Sequence, residues 1–218
     1  GEISIWYDPM IAKLCTHAAT RGEAIAAMSA SLDGFAIEGI RHNIPFVSAI
    51  MANARWQSGK LSTGFIAEEF PHGFAGAPLT HELRAMFATV ATVMDNLENK
   101  RKRRISGQMS GRSVSMSRDR RVRLDTDWFG AEIVHETEKL VELKLEDGSM
   151  RAVVGHWQPG EPVWHGYVDG EEVRMQVRPV LNGWQLSHKG ATVIARVFTP
   201  REAELMLLMP VQAAAGSS

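Results

Sequence analysis

Ala85-Met-Phe-Ala-Thr-Val-Ala-Thr-Val-Met94 carries no charge, and its reading decides the fold. It lies within a helical pattern that runs from about Leu79 to Arg104. Leu83, Met86, Phe87, Val90, Met94 and Leu97 fall on one stripe at helical spacing. The opposite side carries Ala85, Ala88, Thr89, Ala91, Thr92 and Val93. A helix that is apolar all round must be covered all round.

The sequence downstream can provide that cover. After Arg121 the pattern changes to short strands, near Val122–Leu124, Ala131–His135, Leu140–Leu145, Met150–His156, Val163–Val168, Val173–Val177, Trp184–His188 and Thr192–Phe198. Asp147-Gly148, Asp169-Gly170, Asn182-Gly183 and Lys189-Gly190 are turn signals between them. Seven or eight strands on tight turns form an antiparallel meander. Such a sheet removes its exposed edges by closing into a barrel. A small barrel has to be filled, and an apolar helix is a suitable filling. The expectation is an α+β chain, with a small mixed α/β subdomain followed by an antiparallel barrel around the long helix. A sandwich with the helix packed outside is the alternative.

Upstream, residues 1–75 form the mixed subdomain. Ile3–Trp6 and Met10–Thr16 read as short strands broken at Asp8-Pro9. Thr20 and Glu23 have the spacing of a capping box ahead of Ala24, Ile25, Met28 and Leu32, and Gly34 ends that helix. Ala36–Ile40 reads as a brief strand, Asn43 and Pro45 open a second helix, and Thr63–Phe70 forms a third. Phe74-Ala-Gly-Ala-Pro78 marks a domain boundary, so the second domain spans 76–210. Arg201–Met209 closes it as a short helix, and 211–218 reads as a linker. A chain that begins inside a strand is expected to be a piece of something longer.

Composition excludes several functions. The net charge of −1 argues against nucleic-acid binding by bulk charge. The single cysteine, Cys15, excludes a disulfide framework within the chain and reads as a small buried core residue. Apolar runs are too short to span a membrane, and no signal peptide is evident. The eight histidines show no metal-ligand spacing. No phosphate loop or nucleophile elbow occurs, so the residues alone support no active site.

Two segments stand out. Lys100-Arg-Lys-Arg-Arg104 reads as a solvated, dipole-compensating helix end, with a docking patch and a nucleic-acid contact as alternatives. Ile105–Ser117 is rich in serine and glycine yet carries Met109, Val114 and Met116. It is a candidate recognition loop, with a plain connector as the alternative.

Ile3-Ser-Ile-Trp-Tyr-Asp-Pro-Met-Ile-Ala-Lys-Leu14, Gly39-Ile-Arg-His-Asn-Ile-Pro-Phe46 and Phe65-Ile-Ala-Glu-Glu-Phe70 resemble the C-terminal end of a biotin carboxylase domain. Residues 78–210 resemble the helix-in-barrel docking domain of the propionyl-CoA carboxylase α-subunit family. The resemblance implies a fragment of a carbon–carbon ligase that uses biotin and ATP/Mg when intact. It also implies that this fragment binds neither cofactor and is inactive alone, because the family's ATP loop and its Met-Lys-Met biotinyl site lie outside this sequence. The implied partners are the carboxyltransferase β subunit and the other α-subunit domains, with no nucleic acid and no membrane. The implied location is cytoplasmic, or the mitochondrial matrix in a eukaryote. Residues 105–117 correspond to the family's docking loop. Met109, Val114 and Met116 are expected to bury against the partner, with Arg112 and Arg118 at the rim. Asp8 matches an acidic position near the biotin site and is a candidate support there, with turn capping as the alternative. Two other readings are a stand-alone ligand-binding barrel and a 3-methylcrotonyl-CoA or acetyl-CoA carboxylase α subunit.

Overall fold

The computed structural model describes residues 6, 10, 12–103 and 117–209. Among the described residues the first unit is helical: α1 (Arg21–Gly34), α2 (Ile44–Ala52), α3 (Ala54–Gln57) and α4 (Phe65–Glu69). The capping box forms as its sequence requires. Thr20 Oγ1 accepts from the Glu23 amide at 3.3 Å, and Glu23 Oε2 accepts from the Thr20 amide at 3.0 Å. Leu32, Ile44, Ile50, Met51 and Phe65 make the core of this unit, flanked by Ile25, Met28, Phe46, Trp56 and Phe70.

Several local expectations fail here. Met10 and residues 12–16 are irregular, as are residues 35–38, and every strand among the described residues belongs to the barrel. A strand needs a neighbour to take up its N–H and C=O groups, and these segments have no such neighbour among the described residues. The expected strand at Ile3–Trp6 lies outside the described residues except for Trp6, which sits in a turn. Cys15 is exposed, contrary to the buried role expected of it, because the irregular segment around it does not enter a core. Asn43 precedes α2 without a side-chain cap. Asn53 does the capping instead, accepting from the amides of Arg55 and Trp56 at the start of α3.

The long helix is α5 (His81–Arg103), started by Thr80, whose Oγ1 accepts from the Leu83 amide at 3.2 Å. Eight strands follow: β1 (Asp119–Leu124), β2 (Asp127–Glu136), β3 (Val141–Leu145), β4 (Met150–Gly155), β5 (Val163–Val168), β6 (Glu171–Val180), β7 (Gly183–His188) and β8 (Ala191–Phe198). Each pairs antiparallel with the next. β1 pairs with β8 through Leu124↔Ala195 and Val122↔Val197, which closes the barrel. A short helix, α6 (Pro200–Leu207), follows under a second capping box formed by Thr199 and Glu202.

The barrel surrounds α5. Phe87, Ala88, Val90, Ala91 and Met94 are fully buried, as are Thr89 and Thr92. These residues cover every side of the helix. They share one apolar core with inward residues of all eight strands, among them Val122, Ile133, Leu143, Val153, Trp164, Met175, Leu186 and Val193. The lumen is therefore filled by the protein's own helix, and the sandwich alternative is excluded. Three of the four turns fall where the sequence places them. The β6–β7 turn is Leu181-Asn182, one residue earlier than Asn182-Gly183, since Val180 pairs with Gly183. Gly183 serves the strand instead: a Cβ there would lie 2.2 Å from the Ala195 carbonyl oxygen.

Among the described residues no helix is long and apolar enough to cross a membrane, and no group of three or more His, Cys, Asp or Glu could hold a metal.

Candidate partner-docking surface

The surface of interest is the barrel mouth where α5 emerges. Its first charged residue beyond the enclosed segment is Asp95. Opposite it stands Arg120 on β1, which is 1% exposed. Arg120 Nε donates to Asp95 Oδ2 at 2.8 Å. Its Nη1 donates to the Asp119 carbonyl at 3.1 Å and also to the Ser117 carbonyl. One guanidinium thus ties the helix exit to the backbone that re-enters the sheet. Burial pushes the Asp95 carboxyl above the usual aspartate range, and the hydrogen bond and charge of Arg120 pull it back part of the way. A buried ion pair of this kind costs desolvation and rewards geometry. Its structural effect is to hold α5 at Asp95 and the backbone at 117–119 on one rim.

A second tie lies beside it. Glu136, at the end of β2, accepts from Asn96 Nδ2 and pairs with Lys100 Nζ. Lys102 pairs with Glu98 one turn earlier, at 3.5 Å. Lys100 and Lys102 are thus paired with acidic side chains, while Arg101 and Arg103 are exposed.

Arg118 is exposed, and its Nη1 donates to the Val134 carbonyl at 3.2 Å. The register of β2 shifts between Ile133 and His135, a β-bulge that turns Val134 and its carbonyl toward this rim. A polar cleft of about 280 Å³ lies here, lined by Asn99, Lys100, Arg103, Arg118, His135 and Glu136 among others. Of the residues singled out from sequence, the structure places Arg118 on this rim. Met109, Arg112, Val114, Met116 and Asp8 lie outside the described residues.

Sequence reasoning missed the Asp95–Arg120 pair. The available signal was the abrupt end of the uncharged stretch at Asp95, facing a basic Arg118-Asp-Arg-Arg121 strand start. Nothing in the spacing says which arginine turns inward. The other end of α5 is anchored less deeply: Arg84 pairs with Asp127, and Arg151 bridges Glu82 at 3.1 Å and Asp169 at 3.0 Å.

Residues 87–212 match the family described as the propionyl-coenzyme A carboxylase BT domain, and residues 1–68 match the biotin carboxylase C-terminal domain. Over 96% of its length the chain is 40% identical to the propionyl-CoA carboxylase alpha chain of Ruegeria pomeroyi, of which it covers 31%. It is 29% identical, again over 96% of its length, to the mitochondrial propionyl-CoA carboxylase alpha chain of Mus musculus, covering 29% of that protein. Over 30% of its length it is 40% identical to a biotin carboxylase of Halalkalibacterium halodurans, covering 14% of it. The chain spans about a third of the length of the propionyl-CoA carboxylase relatives it matches. With more than half of its residues matched by that model and its barrel closed around α5, the chain belongs to the propionyl-coenzyme A carboxylase BT-domain family.

Proposed function

We propose that this chain is the joining and docking portion of the α subunit of a biotin-dependent propionyl-CoA carboxylase. Residues 1–75 form the end of the biotin carboxylase domain in this reading. Residues 76–210 are the docking barrel, and 211–218 lead toward a carrier domain. The intact enzyme uses biotin, ATP and Mg to carboxylate an acyl-CoA, and this portion catalyses nothing itself. Propionyl-CoA is the preferred substrate, ahead of 3-methylcrotonyl-CoA and acetyl-CoA, because the relatives matched over most of the chain carry that name. A cytoplasmic or mitochondrial-matrix location goes with this reading.

The observation that carries the reading is the filled barrel. With Phe87, Val90 and Met94 occupying the lumen, the barrel has its exterior and its rims to offer a partner. The rim held by Arg120 is the best built of these. It presents Arg118 and the emerging basic helix end, and in sequence the run carrying Met109, Arg112, Val114 and Met116 lies between them. We assign the apolar three as anchors in the carboxyltransferase β subunit and the two arginines as polar rim contacts. Anchors of this kind hold most of the binding energy at an interface, and the rim excludes water around them. Asp8 is assigned a supporting role near the biotin site.

The test is co-purification with the carboxyltransferase β subunit. Replacing Met109, Val114 and Met116 together by aspartate abolishes the complex in this reading while the thermal melt of the barrel stays unchanged. A complex that survives the triple replacement discards the assignment.

A further inference from the structure

The helical unit meets the barrel along β6 and at the turn between β7 and β8, and that contact contains two buried polar side chains. Asp33, in the last turn of α1, is 5% exposed and His188, at the end of β7, is 5% exposed. Asp33 Oδ1 accepts from the Lys189 amide at 2.9 Å, and Asp33 Oδ2 lies 2.9 Å from His188 Nδ1. The same Nδ1 lies 2.9 Å from the Arg174 carbonyl oxygen on β6. A carbonyl oxygen can only accept, so Nδ1 carries the hydrogen.

Three further contacts converge on this point. Gln176 Nε2, on the outer face of β6, donates to the Leu32 carbonyl at 3.0 Å and so caps the C-terminal end of α1 from the barrel side. The Gly190 carbonyl accepts from the Ala77 amide at 3.1 Å. Gly190 has φ +78°, and a Cβ there would lie 2.7 Å from the Pro45 carbonyl oxygen and 3.0 Å from the Ala49 nitrogen. The turn is thus pressed against the start of α2 with no room for a side chain.

Units joined by a chain segment move relative to one another unless something holds them. A buried carboxylate facing a buried imidazole resists such motion, since sliding the surfaces past one another while they stay in contact leaves both groups unpaired and desolvated. We infer that Asp33 and the His188-Lys189-Gly190 turn form a lock that fixes the helical unit on the barrel as one rigid body. Whatever the barrel docks on, the helical unit then takes a set orientation with it. This inference stands on the contact alone and does not depend on the carboxylase reading.

The experiment measures the distance between two spin labels in the full chain, one on each unit. Labels go on Lys60→Cys and Lys144→Cys, both exposed positions, in a Cys15→Ser background because Cys15 is exposed. The unsubstituted lock gives one narrow distance distribution. Asp33→Ala broadens it to that of tethered units. His188→Ala broadens it equally and leaves the helical unit's own sequence intact, which separates loss of the lock from loss of that unit's fold. His188→Asn restores the narrow distribution, because its Nδ2 can donate where Nδ1 did. A broad distribution with the lock intact overturns the inference. So does a narrow one in both alanine variants, or a His188→Asn variant as broad as His188→Ala.

Discussion

The barrel and the helical unit before it are stabilised by different means. In the barrel, one core runs from Phe87 and Met94 on the helix to Trp164 and Met175 on the wall, and each fully buried residue has neighbours on all sides. In the helical unit the core is the small set around Leu32, Ile50, Met51 and Phe65, while Phe35, Ile40, Leu61 and Ile66 remain exposed. Burying a large apolar side chain contributes about 1.5–3 kcal/mol. The barrel therefore holds itself together, whereas the helical unit leans on local caps and on the barrel. Enclosing an apolar segment fixes a fold more firmly than laying one apolar face on another.

The largest expected effect attacks the enclosure. Val90→Asp places a carboxylate where the side chain is fully buried. It should cost more than about 4 kcal/mol and unfold the barrel, read as loss of the cooperative urea transition in tryptophan fluorescence. The next removes one partner of the rim pair. Asp95→Ala leaves Arg120 buried beside an empty position and should cost about 3–5 kcal/mol. Replacing both residues by apolar ones of similar volume should recover most of that loss. If the single and double variants melt alike, the pair does not fix the rim.

Smaller effects should stay within the helical unit. Thr20→Ala removes the α1 cap and should cost about 1 kcal/mol there. Hydrogen exchange of α1 should rise while β5–β8 are unchanged. The last prediction is a pH dependence. The Asn53 hydrogen bond, with help from Arg55, holds the Glu69 carboxyl below the usual glutamate range. The folded form thus binds its proton less readily than the unfolded chain. The stabilisation is present above the ordinary glutamate pKa and is lost as pH falls through the lowered one. Asp95 works with the opposite sign, since its carboxyl is raised: its contribution grows as pH falls from the raised value toward the ordinary aspartate range. Mild acid should therefore loosen α3 and α4 more than the rim, and Glu69→Gln should flatten that local response.

Much of the barrel was legible because local rules there agree with the global fold. Ala85–Met94 demanded enclosure, and the strand alternation and the Asp169-Gly170 and Lys189-Gly190 turns supplied it. Those turns require positive φ at both positions, which the residues adopt. The β6–β7 turn was misplaced by one residue because glycine has two uses. In Gly183 the close approach of a neighbouring strand won over turn geometry. The segments at 12–16 and 36–40 have strand-like composition but lack a described strand to pair with, and pairing is not visible in a local pattern. The candidate docking rim was only partly legible. Met109, Val114 and Met116 stood out as apolar residues in a serine- and glycine-rich run, whereas Asp95–Arg120 and Asp33–His188 join residues distant in sequence. Only the closed barrel brings those pairs together.

The docking reading rests on α5 being sealed inside the sheet, and amide hydrogen exchange measures that directly. A sealed helix cannot open without the wall opening, so the amides of Ala85–Met94 should exchange only through global unfolding, at the same free energy as β7 and β8. Exchange of that segment through a cheaper event, with the eight strands still protected, would contradict the enclosure.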